Sequence, residues 1–93
     1  MSVYVDQLFA CSPTRHWHYR RACHLLADTD VELEAFARRL YLKPGWKHGD
    51  HYDLTPNKRR AAIAAGAIEV NAGALVRIRR MLMAADAAER EGS

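Results

Sequence analysis

The stretch CHLLADTDVELEAFARRL, residues 23–40, carries the reading on which the fold turns. Its opening, CHLLAD at 23–28, reads as an extended segment, and the pattern then changes. Thr29 and Glu32 have the spacing of a capping box, in which hydroxyl and carboxylate satisfy each other's free backbone N–H groups at a helix start. Leu33, Phe36, Ala37 and Leu40 recur at helical spacing and mark one buried face. The acids Asp30, Glu32 and Glu34 come first and the bases Arg38 and Arg39 last, as the helix dipole favours. These features predict a helix over 30–41, ended by Pro44 and Gly45.

Upstream, VYVDQL at 3–8 has the alternation and the β-branched and aromatic content of a short strand. Between the two extended segments, residues 9–22 contain Pro13, three arginines, Trp17 and Tyr19, with no acid between Asp6 and Asp28, and read as a basic loop. Downstream, a loop at 43–50 leads into a short extended HYDL at 51–54. Thr55 then serves as N-cap and Pro56 as first residue of a helix reaching about Ala65, where Gly66 stops it. AIEV at 67–70 is a further strand, and Asn71 caps a last helix with Leu75, Ile78 and Leu82 on its buried side. The order of elements predicts an α/β or α+β fold, a sheet of three to four strands with about three helices packed on it. Residues 1–86 form one domain in this reading, and 87–93 a frayed tail.

The composition narrows the function classes. A chain of 93 residues has room for one modest core, and its 49% hydrophobic content is rich in alanine. Fourteen Lys and Arg against 11 Asp and Glu give a net charge of +3, a mild bias toward anionic partners. Cys11 and Cys23 have neither metal-finger spacing nor a disulfide framework and are expected as reduced thiols in a cytoplasmic protein. The N-terminus is not patterned as a secretory signal, and no apolar run is long enough to span a bilayer, so no membrane partner is expected. Paired edge strands would permit a homodimer.

Three features bear on chemistry. Lys58, Arg59 and Arg60 lie in the first turn of the helix at Pro56, where the dipole disfavours each cation by roughly 0.3–1 kcal/mol. They suit a phosphate or carboxylate docked at that helix start, or else extend into water or pair with Asp50, Asp53 and Glu69. Second, His51 and Asp53 share one side of an extended HYDL, and His24 and Asp28 have the same parity in CHLLAD. No metal is required by this pattern. If these four converge they can ligate a divalent ion, or a His–Asp pair can act as an oriented general base, while the ordinary alternative is a structural hydrogen bond. Third, TRHWHYRRACH at 14–24 interleaves bases with rings, the composition of a platform for a nucleotide or single-stranded nucleic acid and equally of a surface loop. Trp46 fits either a core lid or a stacking surface.

There is no phosphate loop, dinucleotide fingerprint, HExxH or nucleophile elbow, and nothing names a cofactor. Cys23 and His24, as neighbours on a strand, face opposite ways, so Cys23 is expected as a buried thiol and not a nucleophile.

VYVD, CHLLAD with its following ELxAFA helix, HYDL, the arginine-rich helix start and the closing GAIEV together resemble the bacterial and phage domain of unknown function 4031, over nearly the whole chain. The resemblance implies a shared polar set of Asp6, His24, Asp28, His51, Tyr52, Asp53 and Arg59. The chain departs from the pattern at Ala22, where a tryptophan is expected, at Glu34, where members often carry histidine, and in a loop lengthened by HWHY. The leading expectation is a phosphate-bearing ligand, a nucleotide or nucleic acid, held by Lys58 and Arg59 with Arg20 or Arg21 closing from the loop. Asp6, Asp28 and Tyr52 complete that binding set, and His24, His51 and Asp53, the candidate catalytic residues, orient the ligand or serve in acid–base chemistry. The alternatives are a phosphodiester or nucleotide hydrolase using His24 and His51 as acid and base or as metal ligands, and a protein-interaction or inhibitor module.

Overall fold

Apolar residues on both sides of CHLLA point to a strand covered on both faces, and it is the longest strand of the sheet. In the computed structural model, which describes residues 2–91, β3 spans Arg21–Ala27 and starts two residues before the expected segment. β1 (Val3–Val5) and β2 (Phe9–Ala10) both pair antiparallel with it on one side. On its other side lies β5 (His51–Leu54), followed outward by β4 (Lys47–His48). β6 (Ile68–Glu69) pairs parallel with β1, so the sheet is mixed. The fold is α+β, with six strands in place of three or four because β2, which pairs with β3 beyond the end of β1, and β4, at the outer edge, each add a two-residue strand.

The first strand does not run straight to residue 8. Val5 faces Leu25 and Phe9 faces Ala22, so four steps along one strand match three along the other. One extra residue is thus accommodated between Asp6 and Phe9, as in a β-bulge. The slip exchanges faces: Leu8 packs against the core and Phe9 stacks on the His24 ring.

α1 spans Asp30–Arg39 and buries the stripe Leu33, Phe36, Ala37 and Leu40, with the Thr29 hydroxyl accepting from the Glu32 N–H. The helix ends before Pro44 is reached. Leu42 N–H donates to Ala37 carbonyl and Tyr41 N–H to Arg38 carbonyl, a Schellman closure that places Tyr41 in the left-handed region at φ 56°. α2 (Pro56–Ala64) is capped by Thr55 and stops at Gly66, whose φ is 108°. Both helices pack on β3 and β1, against a core that includes Val5, Cys23, Leu25, Leu33 and Leu54. α3 (Ala72–Glu91) begins where the Asn71 side chain accepts from Ala74 N–H. It continues through residues 87–91 of the expected tail, while 92–93 lie outside the described residues. Among the described residues no helix is long and apolar enough to cross a membrane.

Tyr41 is almost fully exposed at 86%, so its left-handed backbone is not offset by side-chain burial. Tyr41→Gly should raise the unfolding free energy by about 1 kcal/mol, since glycine adopts this conformation without steric cost. Urea denaturation measures it, and an unchanged or lowered midpoint would contradict the assigned helix end.

Candidate functional site

Strand alternation sorts the sheet into two faces. Cys23, Leu25, Tyr52 and Leu54 point to the core, which leaves His24, Leu26, His51 and Asp53 on the opposite face. The register sets Asp53 beside His24 and continues the row to Asp6, whose N–H donates to the His24 carbonyl at 3.3 Å. His51 lies two residues further along β5, its ring edge-on to His24 with centroids 5.2 Å apart. A donor atom from each of His24, His51 and Asp53 falls within 4.8 Å of the others.

Asp6 is 3% exposed and does the work of a backbone group. Its Oδ1 accepts the His24 N–H at 2.6 Å and its Oδ2 meets the His24 Nδ1 at 2.8 Å. The Asp6 carbonyl, displaced from the ladder at the slip, accepts instead from Arg59 Nε at 2.9 Å. The hydrogen bond to Asp6 raises the His24 pKa above its ordinary value, more than burial lowers it.

His51 repeats this arrangement. Its Nδ1 lies 3.0 Å from Asp50 Oδ1, and Asp50 Oδ2 accepts from Arg79 Nε at 2.6 Å, which ties α3 to the turn between β4 and β5. The Arg79 and His51 contacts lower the Asp50 pKa although burial opposes them as the largest single influence. Asp53 Oδ2 meets His48 Nε2 at 3.1 Å, and its Oδ1 faces His51 Nε2 at 3.9 Å. His24 and His51 therefore each have Nδ1 engaged by a carboxylate, leaving Nε2 as the reactive nitrogen.

The sequence model of a protein family of unknown function, DUF4031, matches residues 3–82. The chain belongs to this family. No curated protein and no solved structure matches it.

Within the DUF4031 domain, the remaining polar residues divide by position. Asp28 stands at the far end of β3, where it accepts from Tyr4 hydroxyl at 2.9 Å and Ser2 N–H at 2.8 Å, and it does not join His24. Tyr52 faces the core side, its hydroxyl on Glu34, so the departure at residue 34 lies across the sheet from the histidines. Lys58 Nζ donates to Leu40 carbonyl at 2.6 Å, Arg59 also pairs with Glu69 at 3.2 Å, and Arg60 donates to Asn57. All three cations of this helix start thus have partners within the chain. Arg20 and Arg21 are exposed at the entry to β3. Cys23 is fully buried and its thiol is pushed up to about 12, chiefly by desolvation, so it is no nucleophile.

Asp50 and His48 were not among the sequence candidates. Their signal was available in HGDH, where a glycine turn between two histidines allows cross-strand pairing. Beside the cluster, Phe9, Trp17 and Trp46 wall a cavity of about 360 Å³ that reaches His48 and Asp53. Trp46 is buried and meets Trp17 and Tyr19 edge to face, so it is a lid over the core that also supplies a cavity wall.

Because the fold raises the His24 pKa, protonated His24 is bound more tightly in the native than in the unfolded chain. Its stabilisation is complete below the unfolded value of about 6.5 and fades as pH rises through the higher folded value. Urea titrations in EDTA should show the stability difference between wild type and His24→Gln shrinking from about pH 5.5 to about pH 8.5. A difference that grows with pH would refute the Asp6–His24 pairing.

Proposed function

We propose that the protein is a hydrolase of phosphate esters whose reacting centre is the face between His24, His51 and Asp53. The observation that carries this reading is the pair of carboxylate-oriented imidazoles beside a third carboxylate, with His51 Nε2 at 3.9 Å from Asp53 Oδ1 and one donor atom each of His24, His51 and Asp53 within 4.8 Å of the others. A structural histidine needs one partner, whereas two held at Nδ1 and directed to common space have the arrangement used to move protons or polarise an ester.

The surroundings favour a phosphate-bearing substrate with a flat organic group. Arg15, Arg20 and Arg21 are exposed on the loop and strand that contribute Thr14, His16, Trp17 and Ala22 to the cavity, and Phe9, Trp17 and Trp46 offer ring surfaces within reach of Asp53. A nucleotide or a short single strand fits that combination. Asp6, Asp50 and Asp53 place three carboxylates near the cluster, with Arg79 on Asp50, so an anion approaching it requires positive charge at the Nε2 atoms. The helix start at Pro56 takes no direct part, since Lys58, Arg59 and Arg60 are committed to other contacts.

The test is turnover of bis(p-nitrophenyl) phosphate, nucleoside monophosphates and a labelled single-stranded oligonucleotide. His24→Ala and His51→Ala should each lower kcat by about 100-fold or more while the melting temperature of His51→Ala stays near wild type. Arg38→Ala, on the exposed side of α1, should leave turnover unchanged. Failure to hydrolyse any of these substrates, or hydrolysis indifferent to both histidines, overturns the reading.

A further inference from the structure

We infer that His24, His51 and Asp53 form a divalent transition-metal site, with Nε2 of each histidine and Oδ1 of Asp53 as ligands. The inference deepens the hydrolase reading and rests on the same cluster. It stands on the convergence of the three donors and on how each is held from behind.

Metal-bound histidines almost always have their second ring nitrogen fixed by a carboxylate or carbonyl, and ligating carboxylates are themselves hydrogen-bonded. Here every ligand has such a partner. His24 Nδ1 is on Asp6, His51 Nδ1 is on Asp50, and the outer oxygen of Asp53 is on His48. The outer partners are anchored in turn, Asp6 by the His24 backbone N–H and Asp50 by Arg79. Three independent side chains each oriented in the manner of a ligand are more than a general surface network requires.

The distances are those of a site that closes by a small movement. Ligand bonds of about 2.0–2.2 Å place donors roughly 3.4 Å apart around a tetrahedral ion. His51 Nε2 and Asp53 Oδ1 are at 3.9 Å, and one donor atom from each of the three residues lies within 4.8 Å of the others. These separations exceed that spacing by about an ångström, a gap of the size that side-chain rotation on the β4–β5 hairpin can close. Two imidazoles and one carboxylate suit zinc and its neighbours better than magnesium or calcium, and three protein ligands leave a coordination position open. Three carboxylates in and behind the cluster also give the local charge a cation needs. Bound there, the ion supplies the positive charge that an anionic substrate requires at this face.

EDTA-stripped full-length protein titrated with Zn²⁺ in a calorimeter, and with Co²⁺ followed by visible absorption, tests the assignment. One equivalent should bind with Kd below about 1 μM, at the affinity of a three-ligand site. Asp53→Asn and His51→Ala should each weaken it 100-fold or more, Asp6→Asn by about 10- to 100-fold, and Asp28→Asn not at all. Nitrogen-15 NMR of the wild-type histidine rings gives a readout independent of any variant's folding: zinc should shift the Nε2 resonances of His24 and His51 and leave their Nδ1 protonated. Absence of binding at 100 μM zinc, or spectral changes confined to His16 and His18, would overturn the site. Zinc binding without hydrolysis removes the hydrolase reading alone, and hydrolysis without zinc binding removes the metal site alone.

Discussion

The hydrogen bond from the His24 backbone N–H to the Asp6 carboxylate is the contact on which the polar face depends. At this point the β1–β3 ladder slips by one residue, and a side chain replaces the main-chain acceptor. A buried N–H without a partner costs about 1–3 kcal/mol, so the slip persists only because Asp6 supplies an oxygen. The same carboxylate fixes the His24 ring, and the freed carbonyl anchors Arg59. Strand register, imidazole orientation and the docking of α2 are thus set by one residue in the interior.

The arginine-rich start of α2 follows from a related exchange. Lys58 stands at the unfavourable end of its own helix, yet its ammonium reaches the C-terminal carbonyl of α1 at Leu40. Repulsion from one dipole is offset by attraction to the other, together with a hydrogen bond to a carbonyl that lacks a helical partner. Charge placement that looks like an anion site along one helix is, between two helices, a cap.

What was legible in the sequence was local. The stripe Leu33, Phe36, Ala37 and Leu40, the caps at Thr29, Thr55 and Asn71, and the shared side of His51 and Asp53 all rest on spacings of a few residues and recur in the structure. What was not legible depended on pairing across the chain. Asp6 meets His24 over 18 residues and Arg59 over 53, and no periodicity marks either contact. Parity placed Asp28 on the same side as His24, but parity does not report distance along a strand, and Asp28 lies four positions beyond His24, just past the end of β3. The extra residue between Asp6 and Phe9 was invisible because VYVDQL alternates acceptably through residue 8, although pairing stops at Val5.

The two halves of the candidate site differ in how they are held. His24 lies in the central strand, with Cys23 and Leu25 fully buried on either side, Phe9 stacked on its ring and Asp6 beneath it. His51 and Asp53 lie on a strand whose outer neighbour has two residues, joined by a turn in which Gly49 takes φ 66°. Their supports, His48 and Asp50, come from that hairpin, and Asp50 is tied to α3 through a half-exposed Arg79. A packed interior resists displacement, while a two-strand edge twists at little cost. Any adjustment that brings the three donors onto a ligand therefore falls to the hairpin, and His24 is the fixed point it closes upon. Arg79 links that closure to α3, so the position of the last helix and the geometry of the site are mechanically coupled.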